Sequence, residues 1–167
     1  MARLIRSAAL LGVVMGVYSI AAGYLVITLL PHAFGVLIPI LALAIPIAVM
    51  WPHWFDRGPD GGWLRRLLRR LGMVACAAPI AGVVALLIVT AVPGYLRWND
   101  DMHRQALVRR GVPAVEIEST VAAHRMTATH ALIDGIMLTA MPSTVAALLT
   151  TGASALVWRR RLTRAVA

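Results

Sequence analysis

Residues 63–98 read WLRRLLRRLGMVACAAPIAGVVALLIVTAVPGYLRW. Arg65, Arg66, Arg69 and Arg70 precede 26 residues without a charge, Leu71 to Leu96, and Arg97 follows them. A helix needs about 20 apolar residues to cross the hydrocarbon core of a bilayer, so the run predicts a transmembrane helix. Trp63 and Trp98 bracket it, as expected of indole rings that prefer the headgroup layer.

Three further runs have the same character. Ser7 to Leu30 holds 24 uncharged residues, Ala33 to Trp51 holds 19, and Ala131 to Trp158 holds 28 residues with a single acid, Asp134. Trp51, Trp54 and Trp158 again lie at or just beyond span ends. With 60% hydrophobic residues, 14% charged residues and a mean hydropathy of +0.79, the 167-residue chain is too apolar for a soluble domain of its size. The expected fold class is all-α: one polytopic membrane domain over residues 1–167, with four transmembrane helices at about 7–30, 33–51, 71–96 and 131–158.

Sidedness follows from the arginines, the chain having no lysine, because positively charged loops stay on the cytoplasmic side. Arg3, Arg6, Arg57, Arg65, Arg66, Arg69, Arg70, Arg159, Arg160, Arg161 and Arg164 fall on one side, 11 in all. The other side carries 5 arginines between Arg97 and His130, set against four acids. Both termini are expected in the cytoplasm of a bacterial cell, with 97–130 facing the periplasm. The first apolar run exceeds the usual signal-peptide core and has no clear cleavage site, so it is expected to remain in the mature protein.

A net charge of +9 raises the question of nucleic acid, but arginines flanking spans are explained by topology and by anionic lipid, and no nucleic-acid motif accompanies them. The expected partners are membrane lipids, and another membrane protein or a second copy of the chain. The segment DGGWLRRLLRRL, 60–71, reads as a separate interfacial helix. Trp63, Arg65, Arg66, Arg69 and Arg70 are its expected lipid contacts, opposite Leu64, Leu67, Leu68 and Leu71.

Small residues at four-residue spacing predict close helix contacts within the chain: Gly12 and Gly16 with Gly23 beyond them, Ala78 and Gly82, and Ala147, Thr151 and Ala155. Cys76 reads as another packing residue. Pro39, Pro46, Pro79, Pro93 and Pro142 fall inside spans and read as kinks.

Residues 97–130 read as two short helices. Asn99 or Asp100 is the expected cap of the first, which ends before Gly111. Pro113 opens the second, with Glu116 and Glu118 in its first turn. Val115, Val121, Ala122 and Met126 form its expected apolar face, and it is expected to run into span four.

Chemistry-bearing residues gather near this segment. His103, His124, His130 and Asp134 are candidate ligands or proton carriers, with His130 and Asp134 on one helical face at i and i+4. Asp134 is the single ionisable residue inside a span, which makes it a candidate for substrate contact or proton relay. No tight metal-ligand spacing, catalytic motif or cofactor motif is present, so no metal, cofactor or catalytic residue is assigned.

The order of features resembles a family of small bacterial four-span membrane proteins known only as a domain of unknown function. The resemblance rests on Gly61, Gly62 and Leu64 before span three, and on Gly111, Pro113, Glu116 and Glu118 at the joint of the helical pair. It implies the fold and no catalytic residue. The expected role is a non-enzymatic accessory or assembly component. The alternatives are a small transporter or proton-coupled component centred on Asp134, and a membrane-embedded enzyme with a periplasmic metal site.

Overall fold

The computed structural model describes residues 2–28, 31–51 and 62–166, with side chains for 4–24, 37–51 and 62–156. Expectations at Trp54, Arg57 and Gly61 lie outside these residues, as do the side chains of Trp158 and the C-terminal arginines; the tight turn expected around Pro31 and His32 is replaced there by the start of a helix.

Six helices and no strands are found among the described residues. They are α1 (Ala2–Thr28), α2 (Pro31–Met50), α3 (Trp63–Ala91), α4 (Tyr95–Arg109), α5 (Ala114–Ala123) and α6 (Ala128–Val166). Three stretches are long and apolar enough to cross a membrane: Leu4–Tyr24 of α1, Trp63–Ala91 of α3 and Ala128–Leu156 of α6. This is compatible with a multi-pass membrane protein. The described apolar part of α2 is the shorter Leu37–Met50.

α3 packs against α1 on one side and α6 on the other, and α2 lies against both α6 and α1. These contacts are close because glycine leaves room for a neighbouring backbone. A Cβ on Gly12 or Gly16 would stand 2.7 Å from the carbonyl oxygen of Ala77 or Ala81. On the opposite face of α3, a Cβ on Gly82 would stand 2.8 Å from the Leu132 oxygen, and one on Gly135 would stand 2.8 Å from the Ala81 oxygen. Ala78 is buried in the same region. Gly23 departs from this pattern, since a Cβ there meets nothing within 4 Å. Leu11, Met15, Met50, Met73 and Val74 fill the space between the helices.

The segment expected as a separate interfacial helix is instead the first part of α3, which continues through Gly72 without a break. Continuity imposes one helical phase, so the inward stripe Met73, Val74, Ala77, Ala81 and Ala85 extends back to Arg70, two turns before Ala77. Arg70 is 4% exposed and its Nη1 donates to Thr151 Oγ1 at 2.7 Å, whereas Leu64 and Leu68 point outward. The expected amphipathic reading is thus reversed at Arg70, which is no lipid contact. Trp63, Arg65 and Arg69 are exposed, and Arg66 is half-buried. Cys76 is exposed on the outer side of α3 and not packed inside.

Pro39, Pro46, Pro79 and Pro142 are accommodated within helices. Pro93 is not: α3 ends at Ala91, and the chain turns through Val92, Pro93 and Gly94. Proline has no N–H with which to continue the helix, and Gly94 takes φ +78°, a left-handed conformation that side chains disfavour.

Candidate functional site

The turn at Gly94 folds α4 back over the end of α1. Trp98 stacks on Tyr24 with ring centroids 5.3 Å apart, and Tyr95 tilts against Trp98 at 5.6 Å. α4 starts at Tyr95, more than one turn earlier than expected, and Asn99 is buried inside it instead of capping it. A second left-handed glycine, Gly111 at φ +73°, reverses the chain again, and Pro113 precedes α5 with Glu116 in the first turn. Ile117 and Val121 form the buried face of α5, while Val115, expected on that face, is 92% exposed.

Ion pairs clasp the hairpin. Arg104 bridges Glu118 on α5 and Asp101 on its own helix, each at 2.7 Å. The arginine holds the Glu118 carboxyl below the usual carboxylate range. Arg125, beyond α5, pairs with Asp100 at 3.0 Å. The second helix does not run into span four, because α5 stops at Ala123 and α6 starts afresh at Ala128. Thr127 caps that start, its Oγ1 accepting the His130 N–H at 3.1 Å.

These turns enclose a basin of about 510 Å³. Ser19, Ile20, Ala22 and Gly23 of α1 and Ile38 of α2 form one wall, and Tyr95, Asn99 and His103 of α4 form another. Residues 123–126 and His130, Asp134 and Leu138 of α6 complete it. His130 and Asp134 therefore share a cavity with His103, His124 and Arg125, drawn from separate stretches of the chain. Gly23 lines this cavity instead of a helix contact.

The polar groups differ in their commitments. His124 Nδ1 lies 2.9 Å from the Thr120 carbonyl, which only accepts, so Nδ1 is the donor in this contact. His103 meets His124 edge to face at 6.4 Å. Burial lowers the basicity of His103, and His124 and Arg110 lower it further against the opposing pull of Asp100. His103 Nδ1 and Asp100 Oδ1 are buried without a hydrogen-bond partner among the described residues. Asn99 is 6% exposed and lines the basin, and its amide makes no side-chain hydrogen bond among the described residues. Asp134 makes no hydrogen bond or ion pair among the described residues, whereas Arg125 is committed to Asp100.

No group of three His, Cys, Asp or Glu side chains among the described residues is placed to share a metal ion. The arrangement supplies hydrogen-bond donors and acceptors, one unpaired carboxylate and apolar walls, which together suit reversible binding. Asn99 and Gly23 escaped sequence reasoning as parts of a site: one looked like a helix cap, the other like a packing glycine. Comparison with protein-family models, curated proteins and solved structures finds no match, so the site rests on its own geometry.

Proposed function

We propose that the chain is a four-span protein of a bacterial inner membrane that acts as a non-enzymatic accessory component by binding a small ligand in a periplasmic basin. The four spans would form a four-helix bundle with both termini cytoplasmic. The 20 residues of α2 favour the fourth span, being about 30 Å long at 1.5 Å per residue. The arginine imbalance favours the sidedness. Trp63, Arg65 and Arg69 are the proposed contacts with lipid headgroups at the cytoplasmic face. Membership of the small four-span family resembled in sequence belongs to the same proposal.

The observation that carries the binding role is the convergence of Asn99, His103, His124, His130 and Asp134 with apolar walls on one basin of about 510 Å³. A concave site with a few convergent polar groups among apolar walls has the form of a small-molecule site. Gly23→Phe tests it, since the added ring enters the basin with no atom within 4 Å of its Cβ to resist it. Native mass spectrometry of the protein released from its own membrane should show a small-molecule adduct on the wild type and none on the variant. Equal adducts on both, or none on either, would remove the reading.

A transporter or proton-coupled component centred on Asp134 is the second reading. A row of buried hydroxyls on α6, Thr139, Ser143, Thr150, Thr151 and Ser154, favours it by leading from the basin toward Arg70. Against a continuous relay, Thr139, Thr150, Thr151 and Ser154 donate to carbonyls of their own helix. Unchanged ion or solute flux through vesicles carrying Asp134→Asn would eliminate this reading.

A further inference from the structure

We infer that the basin takes a lipophilic monocation, such as a substituted ammonium, with Asp134 as its counter-charge. The inference rests on the reading of the basin as a binding site and adds the class of its ligand.

The first ground is charge. Two formally charged side chains line the basin, Arg125 and Asp134. Arg125 is bonded to Asp100 at 3.0 Å, so its charge is matched locally. Asp134 has no ion pair among the described residues, His130 one turn before it included. An anion entering the basin would meet this carboxylate uncompensated, whereas a cation would compensate it.

The second ground is the surface around the carboxylate. Tyr95 lines the basin, held in place by Trp98, which in turn stacks on Tyr24. Aromatic faces attract organic cations that are too weakly hydrated to prefer water. Ile20, Ile38, Met126 and Leu138 supply apolar surface for the substituents of such an ion. A small, strongly hydrated cation gains nothing from these walls, and among the described residues no three His, Cys, Asp or Glu side chains converge to replace its water.

The third ground is Asn99. At 6% exposure it presents an amide to the cavity with no side-chain partner, while the nearby Ser19 hydroxyl is already committed to the Gly16 carbonyl at 2.8 Å. The Asn99 carbonyl oxygen can accept from an ammonium N–H or orient its dipole toward a quaternary centre. The volume of about 510 Å³ lies within the range of small-molecule sites and holds one such ion.

Tetraphenylphosphonium and tetraphenylborate have the same shape and opposite charge, and they test the inference directly on the purified full chain in detergent. Equilibrium dialysis should show saturable binding of the phosphonium, about tenfold or more tighter than of the borate. Asp134→Asn should remove that preference, Asp134→Glu should retain it, and Gly23→Phe should abolish binding. Borate binding as tight as phosphonium binding, or phosphonium affinity unchanged in Asp134→Asn, would overturn the cation assignment. If the borate binds saturably and Gly23→Phe blocks it, the basin stays a binding site and only the charge preference falls. If neither ion binds the wild type, the cation assignment fails; if the native adduct is also the same with and without Gly23→Phe, the binding reading fails with it.

Discussion

Arg70 places a guanidinium between α3 and α6, where Thr151 Oγ1 accepts from Nη1 at 2.7 Å and donates onward to the Ala147 carbonyl at 2.6 Å. A buried charged donor that loses an acceptor costs about 1–3 kcal/mol. Thr151→Val, nearly isosteric, should therefore lower unfolding stability in detergent by about that amount, and Thr151→Ser should recover most of it. Loss of stability in neither variant would show that the contact contributes nothing. His103 supports a pH prediction. Its folded-state basicity is depressed by burial, with His124 and Arg110 adding to the effect and Asp100 opposing it. The unfolded chain binds this proton more readily, so the contribution of neutral His103 is present above about pH 6.5 and is lost as pH falls through its lower folded value. The midpoint of thermal unfolding should drop between pH 7 and pH 5, and His103→Asn should flatten that part of the profile. A wild-type profile identical to that of the variant would contradict this.

At the scale of elements, the decisive contact is the crossing of α3 and α6, where Gly135 lies 2.9 Å from Gly82 Cα measured from its would-be Cβ. Backbone atoms cannot step aside as side chains do, so Gly135→Ala should destabilise the fold by about 1–3 kcal/mol. Gly23→Ala meets nothing within 4 Å and removes a glycine from a helix, so it should be neutral or stabilising by up to about 1 kcal/mol. Paired chemical unfolding of the two variants separates a packing glycine from a basin-lining one. Equal effects would refute the distinction. Gly12 and Gly16 were legible as a contact motif because their spacing repeats on one helix face; Gly135 was not, since its partner Gly82 lies on another helix. The continuity of α3 was also hidden. Two arginine pairs, Arg65 with Arg66 and Arg69 with Arg70, alternating with leucines read locally as a membrane-surface helix, and only the phase set by Ala77 and Ala81 shows that Arg70 faces inward. Thr127, an ordinary threonine in the sequence, proved to be the cap that separates α5 from α6.

At the scale of the whole molecule, the apolar runs that predicted spans one, three and four coincide with the three long helices, because hydrophobic length is a property a single segment carries by itself. The basin is different in kind. His130 and Asp134 are linked by helical periodicity and could be paired from sequence, but their meeting with Asn99, His103 and Gly23 depends on two chain reversals at Gly94 and Gly111. The central claim is that four spans leave this basin on the periplasmic face with both termini opposite it. Labelling of single cysteines by a membrane-impermeant maleimide in intact cells tests it, in a Cys76→Ser background with Ala2→Cys, Gln105→Cys or Ala167→Cys. The account predicts labelling of Gln105→Cys from outside, with Ala2→Cys and Ala167→Cys protected until the membrane is permeabilised. Protection of Gln105→Cys, or labelling of one terminus without the other, would contradict it.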